Sequence, residues 1–129
     1  AAWTAATGTL VLTATGPIPS TVDQVVTAVL TNPAALQGGV TPKIATALIP
    51  QVPMSAAVLT GATAPVASWT TKRVFQSSVI QGGTNTLTFT IKPTAPLFGG
   101  NLITIGGLTG SFTADTTALP VTGTNAAVF

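Results

Sequence analysis

The sequence predicts an all-β fold, an Ig-like antiparallel β-sandwich of about seven to nine short strands. Short runs alternate apolar residues with threonine, and clusters of Gly, Pro, Asn and Asp separate them at intervals of roughly 8–15 residues. Threonine, a β-branched residue that suits a pleated surface, supplies about a fifth of the chain. The length of 129 residues is that of one domain, so we expect residues 1–129 to form a single sandwich, one unit of a longer or polymeric protein.

The clearest strand is predicted at residues 86–91, where the sequence reads Thr-Leu-Thr-Phe-Thr-Ile. Leu87, Phe89 and Ile91 fall on one face at a period of two, and the threonines fall on the other face. A Gly-Gly pair lies before the run and a proline follows it. This pattern indicates an antiparallel strand with one buried face and one solvated face.

Eight further segments show weaker strand patterns between turn residues. The run at 69–76 alternates imperfectly around Arg73-Val74, which predicts a β-bulge there. Residues 20–23 predict a short turn, because the valines and threonines that follow disfavour a helix. In chain order, the further predicted strands are residues 9–13, 25–31, 43–49, 55–60, 69–76, 102–105, 119–121 and 126–129.

The large apolar residues of these runs and of the turns between them define the predicted core. Burial of each such side chain contributes roughly 1.5–3 kcal/mol. The chain has no cysteine, so this core has to hold the fold without disulfides. The predicted core consists of Trp3, Leu10, Leu12, Ile18, Val26, Ala28, Leu30, Ile44, Leu48, Val58, Trp69, Phe75, Leu87, Phe89, Ile91, Leu97, Phe98, Ile103, Ile105, Leu108 and Phe112.

Ionisable residues are rare: the chain has four Lys or Arg, two Asp or Glu and no His. The adjacent Lys72 and Arg73 are interpreted as a solvated strand edge, since a nucleic-acid binder would carry a clustered basic face. The two carboxylates, Asp23 and Asp115, fall in predicted loops, whereas a catalytic pair would need one shared cleft. Ligand sets for zinc, iron–sulfur clusters or calcium are missing. We therefore expect no catalytic residues, no cofactor, no metal site and no nucleic-acid partner, so the protein is not predicted to be an enzyme.

Glycine-rich pieces near residues 99–110 do not form a phosphate-binding loop, because no Lys-Ser/Thr pair follows them and no helix is predicted there. We interpret them as turn glycines with positive φ. No stretch reaches the ~18 apolar residues that a membrane-spanning helix requires, so no membrane span is expected.

Trp3 and Trp69 allow two interpretations. Exposed side by side with polar residues, they would form a sugar-stacking platform. Buried between the sheets, they would belong to the core, which is the commoner place for aromatic rings in a sandwich.

Four segments carry a resemblance to a known kind of protein: residues 30–33, 75–78, 82–89 and 100–111. Together they resemble the Thr- and Ala-rich repeat units found in tandem in very large secreted or surface proteins of algae and related protists, such as mastigoneme-type flagellar hair proteins. The resemblance spans most of residues 9–112. It implies a repeated Ig-like module with a structural or adhesive role, and it transfers no catalytic residues.

These observations lead us to expect a structural module of an extracellular fibre, flagellar hair or cell-surface coat, with neighbouring copies of the same domain as partners. Threonine hydroxyls are acceptors for O-linked glycans, and the sequence contains no Asn-x-Ser/Thr site. Two alternatives stay open. One is a self-assembling filament subunit joined by β-strand exchange, because few charges protect the strand edges. The other is a carbohydrate-binding adhesin that uses Trp3 or Trp69.

Overall fold

The computed structural model describes residues 1–34, 41–47 and 69–129, which form two four-stranded antiparallel sheets packed on a shared core. One sheet has the order β1–β2–β7–β4, and the other has the order β5–β6–β3–β8. The predicted all-β sandwich is confirmed. The elements are β1 (Ala2–Thr4), β2 (Thr9–Thr13), β3 (Gln24–Thr31), β4 (Lys43–Ala47), β5 (Trp69–Gln76), β6 (Thr84–Pro93), β7 (Leu102–Gly106), β8 (Val121–Thr122) and a 3₁₀ helix (Ala126–Val128).

Successive strands alternate between the sheets at most connections. Only β1–β2 and β5–β6 are neighbours both in sequence and within one sheet. Counted over the described strands, this order differs from that of a constant-type Ig domain, in which the first, second, fifth and fourth strands form one sheet. Within the described residues, β4 and β5 are edge strands of opposite sheets.

Strand boundaries agree well with the sequence pattern where alternation is strong. The predicted strands at 9–13 and 69–76 are confirmed with the same bounds as β2 and β5, and the strand predicted at 86–91 is longer, as β6. The irregularity in β5 lies between Trp69 and Thr71 instead of at Arg73-Val74, so the predicted bulge position was wrong. The prediction at 55–60 and the last two residues of 43–49 lie outside the described residues.

The C-terminal predictions need correction. The strand predicted at 126–129 is wrong: Ala126–Val128 form a 3₁₀ helix with Phe129 as its C-cap, because Asn125 takes a left-handed conformation with φ 65° and short-range backbone hydrogen bonds follow. Residues 119–121 contribute only Val121 to β8. β1 was not predicted, because a three-residue strand is too short to show alternation.

The core between the sheets contains most of the predicted residues. Trp3, Leu10, Leu12, Ile18, Val26, Ala28, Leu30, Leu87, Phe89, Ile91, Leu97, Ile103, Ile105 and Leu108 are buried, and Ile44 and Trp69 pack against them while remaining partly exposed. Leu48 and Val58 lie outside the described residues.

Three predicted core phenylalanines are exposed, and this corrects the prediction. Phe75 is 69 % exposed because it takes the outer face of β5, opposite Thr88 in the register. Phe98 and Phe112 are 50 % and 63 % exposed and lie in irregular segments outside the strands, where no period-two pattern directs a side chain inward.

The side of the sandwich next to β1 is covered by a C-terminal segment. Trp3 exchanges two backbone hydrogen bonds with Thr116, at 2.7 and 2.9 Å, and Leu119 donates its N–H to the carbonyl oxygen of Ala1 at 2.7 Å. The segment therefore satisfies main-chain groups on the outer edge of β1. At the opposite side of the sandwich, a cleft separates β4 from β5.

Candidate interaction cleft

The two carboxylates serve as hydrogen-bond acceptors at separate places in the fold. Asp115 Oδ1 accepts the backbone N–H of Ala5 at 2.6 Å, which helps to hold the C-terminal segment beside β1. Asp23 Oδ1 accepts the hydroxyl of Thr71 on β5 at 3.1 Å. Both aspartates lie outside regular elements, as the sequence predicts. In the described part of the chain, no group of three or more His, Cys, Asp or Glu side chains comes together.

The two tryptophans do not form a common platform. Trp3 is 1 % exposed and donates its indole N–H to the carbonyl oxygen of Thr113 at 3.0 Å. Its ring faces are packed in the core, so Trp3 offers no surface to a sugar. Trp69, at the start of β5, is half-buried against the core. The sugar-stacking interpretation is therefore wrong for Trp3 and would depend on Trp69 alone.

A cleft opens between the edge strands β4 and β5, and we call it the β4/β5 cleft. Its larger part has a volume of about 440 Å³. Apolar side chains from β4, β6 and β7 lie beneath it, and basic residues of β4 and β5 line its sides. The lining residues are Pro42, Lys43, Ile44, Lys72, Arg73, Val74, Phe89, Ile91 and Ile105.

The cleft continues into a second cavity of about 250 Å³, because Pro42 and Val74 line both parts. Uncharged polar side chains, among them Asn32, Gln76 and Asn85, line this second part. Along β5, the lining runs from Lys72 to Gln76, a distance of about 14 Å at the usual rise of ~3.4 Å per residue. The cleft is therefore long enough to hold an extended segment of about five residues.

An amide cluster stabilises the polar end of the cleft. The buried Asn85 donates from Nδ2 to Asn32 Oδ1 at 2.8 Å and to Gln76 Oε1 at 3.1 Å, and its Oδ1 accepts the N–H of Ser78 at 3.2 Å. Asn32 in turn donates to the carbonyl oxygens of Ser78 and Ile80. These bonds join the end of β3 to the β5–β6 turn, so the polar wall of the cleft is held in one arrangement.

Three of the four cations in the chain line the cleft: Lys43, Lys72 and Arg73. The fourth, Lys92 on β6, is not among its lining residues. None of the described lining residues is acidic. The cleft thus combines an apolar floor with a net positive rim, which is the charge distribution expected to attract an anionic ligand.

Each flanking strand has one edge that no other described strand pairs with. Among the described strands, β4 pairs only with β7, and β5 pairs only with β6. An edge strand presents main-chain N–H and C=O groups to any extended chain that lies beside it. The arrangement can therefore bind an extended polypeptide through main-chain hydrogen bonds, apolar side chains and charge together.

Sequence reasoning found only part of this site. The adjacent Lys72 and Arg73 were recognised, but they were interpreted as a solvated edge. Lys43 lies 29 positions earlier in the sequence, and no local pattern indicates that it belongs beside them. A usable signal was the concentration of cations on segments predicted to be strands, because lysine on a strand often marks an edge.

The described part of the chain contains no helix that is long and apolar enough to cross a membrane. Comparison of the sequence and fold with family models, with curated proteins and with solved structures finds no match.

Proposed function

We propose that this domain is a non-catalytic structural module of an extracellular fibre, flagellar hair or cell-surface coat, where neighbouring copies of the domain are its partners. The observation that carries the proposal is the outer face of the β5–β6–β3–β8 sheet, where threonine is the most frequent residue and Val29, Arg73 and Phe75 also lie. Thr86, Thr88 and Thr90 alternate along β6, and Thr88 pairs with Thr27 of β3, which pairs with Thr122 of β8.

This surface suits a structural role for a physical reason. Threonine keeps a sheet face wettable through its hydroxyl groups without charge, and its β-branched side chain stabilises the strands. The ionisable groups that would perform acid–base chemistry are scarce, and the two carboxylates accept hydrogen bonds within the fold. The resemblance to algal and protist surface repeats supports the same role. Threonines on the outer face or in the loops are candidate acceptors for O-linked glycans.

A second candidate function is a filament subunit joined by β-strand exchange. The scarcity of charged residues favours it, because few charges protect the strand edges against pairing with a strand of another molecule. Both candidates are assembly functions, and they differ in whether the link between modules is covalent or formed by a strand of a neighbouring molecule.

Intact mass together with particle size on material from the native source tests the proposal. A covalent mass many times 12.7 kDa is expected for a tandem array, and a 12.7 kDa chain in an extended particle indicates strand exchange. A monomer of that mass would contradict both assembly functions. A mass equal to that of the bare chain would show that the threonines carry no O-linked glycans. Immunogold labelling confined to the cell interior would contradict the extracellular location.

A further inference from the structure

We propose that the β4/β5 cleft is a docking site for an extended acidic strand of a different chain, in which apolar residues alternate with carboxylates. This inference rests on the proposed function, because such a strand would attach the module to another component of the fibre or coat.

The register of the two edge strands determines which side chains face the cleft. On β5, Lys72 pairs with the buried Ile91 and Val74 pairs with the buried Phe89, so these two positions share the inner face of the sheet. On β4, Ile44 pairs with the buried Ile105. The inner face of the cleft is therefore apolar with one cationic position, Lys72, at its edge.

A lysine on the inner face of an edge strand has two consequences. It opposes the entry of an uncharged apolar strand, because the ammonium group would lose water without gaining a partner. It favours a strand that brings a carboxylate to the same place, and Lys43 and Arg73 on the rim strengthen this preference. Both effects favour acidic strands. Lys72 therefore attracts a carboxylate and also disfavours the binding of uncharged strands.

A second copy of this domain is a poor occupant of the cleft. Antiparallel pairing of β5 with β5 of another copy would place Lys72 and Arg73 close to the same cations of the copy, and like charges in facing strands are destabilising. The chain has only two carboxylates with which to compensate, and both already accept hydrogen bonds, Asp23 from Thr71 and Asp115 from Ala5. The charge complementarity therefore indicates a foreign acidic strand.

Fluorescence anisotropy with capped, labelled nine-residue peptides tests the inference. The probe alternates valine with glutamate. Its controls carry glutamine or lysine in place of glutamate, or the same composition with all glutamates in one block. We expect the alternating glutamate peptide to bind most tightly and to weaken when salt is raised from about 25 to 300 mM, because a shorter Debye length screens the rim charges.

Two matched variants locate the site. Lys72→Gln is expected to weaken binding of the glutamate peptide about two- to fivefold, the usual range for one exposed ion pair. Lys92→Gln removes the cation that does not line the cleft and is expected to leave binding unchanged. Lys72→Glu is expected to shift the preference towards the lysine peptide. The fluorescence of the buried Trp3 reports whether each variant is folded.

Several outcomes would overturn the inference. Equal binding of the glutamine peptide would show that charge does not select the occupant, and equal binding of the block peptide would show that an alternating strand is not required. Failure of the glutamate peptide to bind the unmodified protein would reject the site. Concentration-dependent dimers that Lys72→Gln strengthens would identify a second copy as the occupant. None of these results changes the mass and particle-size test of the proposed function, so the two can fail separately.

Discussion

Replacement of Asn85 by alanine should destabilise the fold, because it removes the buried centre of the amide cluster. Asn85 lies on β6 and is only 4 % exposed. Its side-chain Nδ2 donates two hydrogen bonds, and its Oδ1 accepts one. Alanine leaves three partners without their bond: Asn32 Oδ1, Gln76 Oε1 and the N–H of Ser78. The amide cluster would lose the residue that joins its parts.

The magnitude follows from the number and exposure of these bonds. Each intramolecular hydrogen bond contributes about 1 kcal/mol net, and a buried group left without a partner costs about 1–3 kcal/mol. Gln76 is exposed and can bond to water instead, so its loss contributes little. Asn32 and Ser78 are half-buried and recover water only in part. We therefore expect Asn85→Ala to lower the free energy of unfolding by about 2–3 kcal/mol.

Urea denaturation followed by tryptophan fluorescence measures this free energy, under the two-state assumption usual for a domain of this size. Gln76→Ala is the matched control and should cost less than about 1 kcal/mol, because only one partly hydrated bond is lost. Asn85→Asp keeps the shape but replaces two donors by acceptors. Its destabilisation should be smaller below about pH 4, where the introduced carboxyl can be protonated and donate. A loss under 1 kcal/mol for Asn85→Ala would refute the view that this cluster holds β3 to the β5–β6 turn.

Three further predictions concern packing, a buried acceptor and surface aromatics. Gly8→Ala should lower the free energy of unfolding by more than about 2 kcal/mol in the same assay, because the site has φ 58° and the added Cβ would overlap the backbone of Leu108; an unchanged midpoint would show that the turn adapts. The described residues offer no hydrogen-bond partner to the buried Oε1 of Gln24, so Gln24→Met should raise stability by about 1 kcal/mol net of the lost bond from Nε2 to the carbonyl oxygen of Val22, and a loss of stability would indicate that a bridging water satisfies Oε1. Phe75→Thr on the outer face should change the free energy of unfolding by less than about 0.5 kcal/mol, whereas Phe89→Ala in the core should lower it by about 3–5 kcal/mol. Thermal unfolding measures both effects, and similar values at the two sites would contradict the assigned faces of β5 and β6.

Much of the secondary structure could be predicted because the buried and exposed residues alternate strictly. β6 shows this best, since every second residue from Asn85 to Pro93 is buried. β1 and the residues at 126–129 could not be predicted in the same way. A strand of three residues is too short to show a period, and the 3₁₀ helix depends on the left-handed conformation of Asn125.

Less of the candidate site than of the fold could be predicted from the sequence. Lys72 and Arg73 are adjacent in the sequence and can be recognised as a pair. Their assignment to a cleft depends on the position of Lys43 and the buried Ile105 on the same side of the sandwich. The sugar-stacking interpretation failed for Trp3 because a sequence cannot distinguish an indole that packs in a core from one that lies on a surface.

Composition and residue periodicity are sufficient to predict that this chain forms short antiparallel strands, buries an apolar core without disulfides and carries few groups for acid–base chemistry. These properties are local or compositional, so they can be read from the period of two and from residue counts. Three properties could be established only from the tertiary structure: which strands are neighbours, the exposure of three phenylalanines and the position of three cations at one cleft. The reason is physical: alternation assigns each residue to a face of its strand, but the pairing of strands depends on contacts between residues far apart in the sequence.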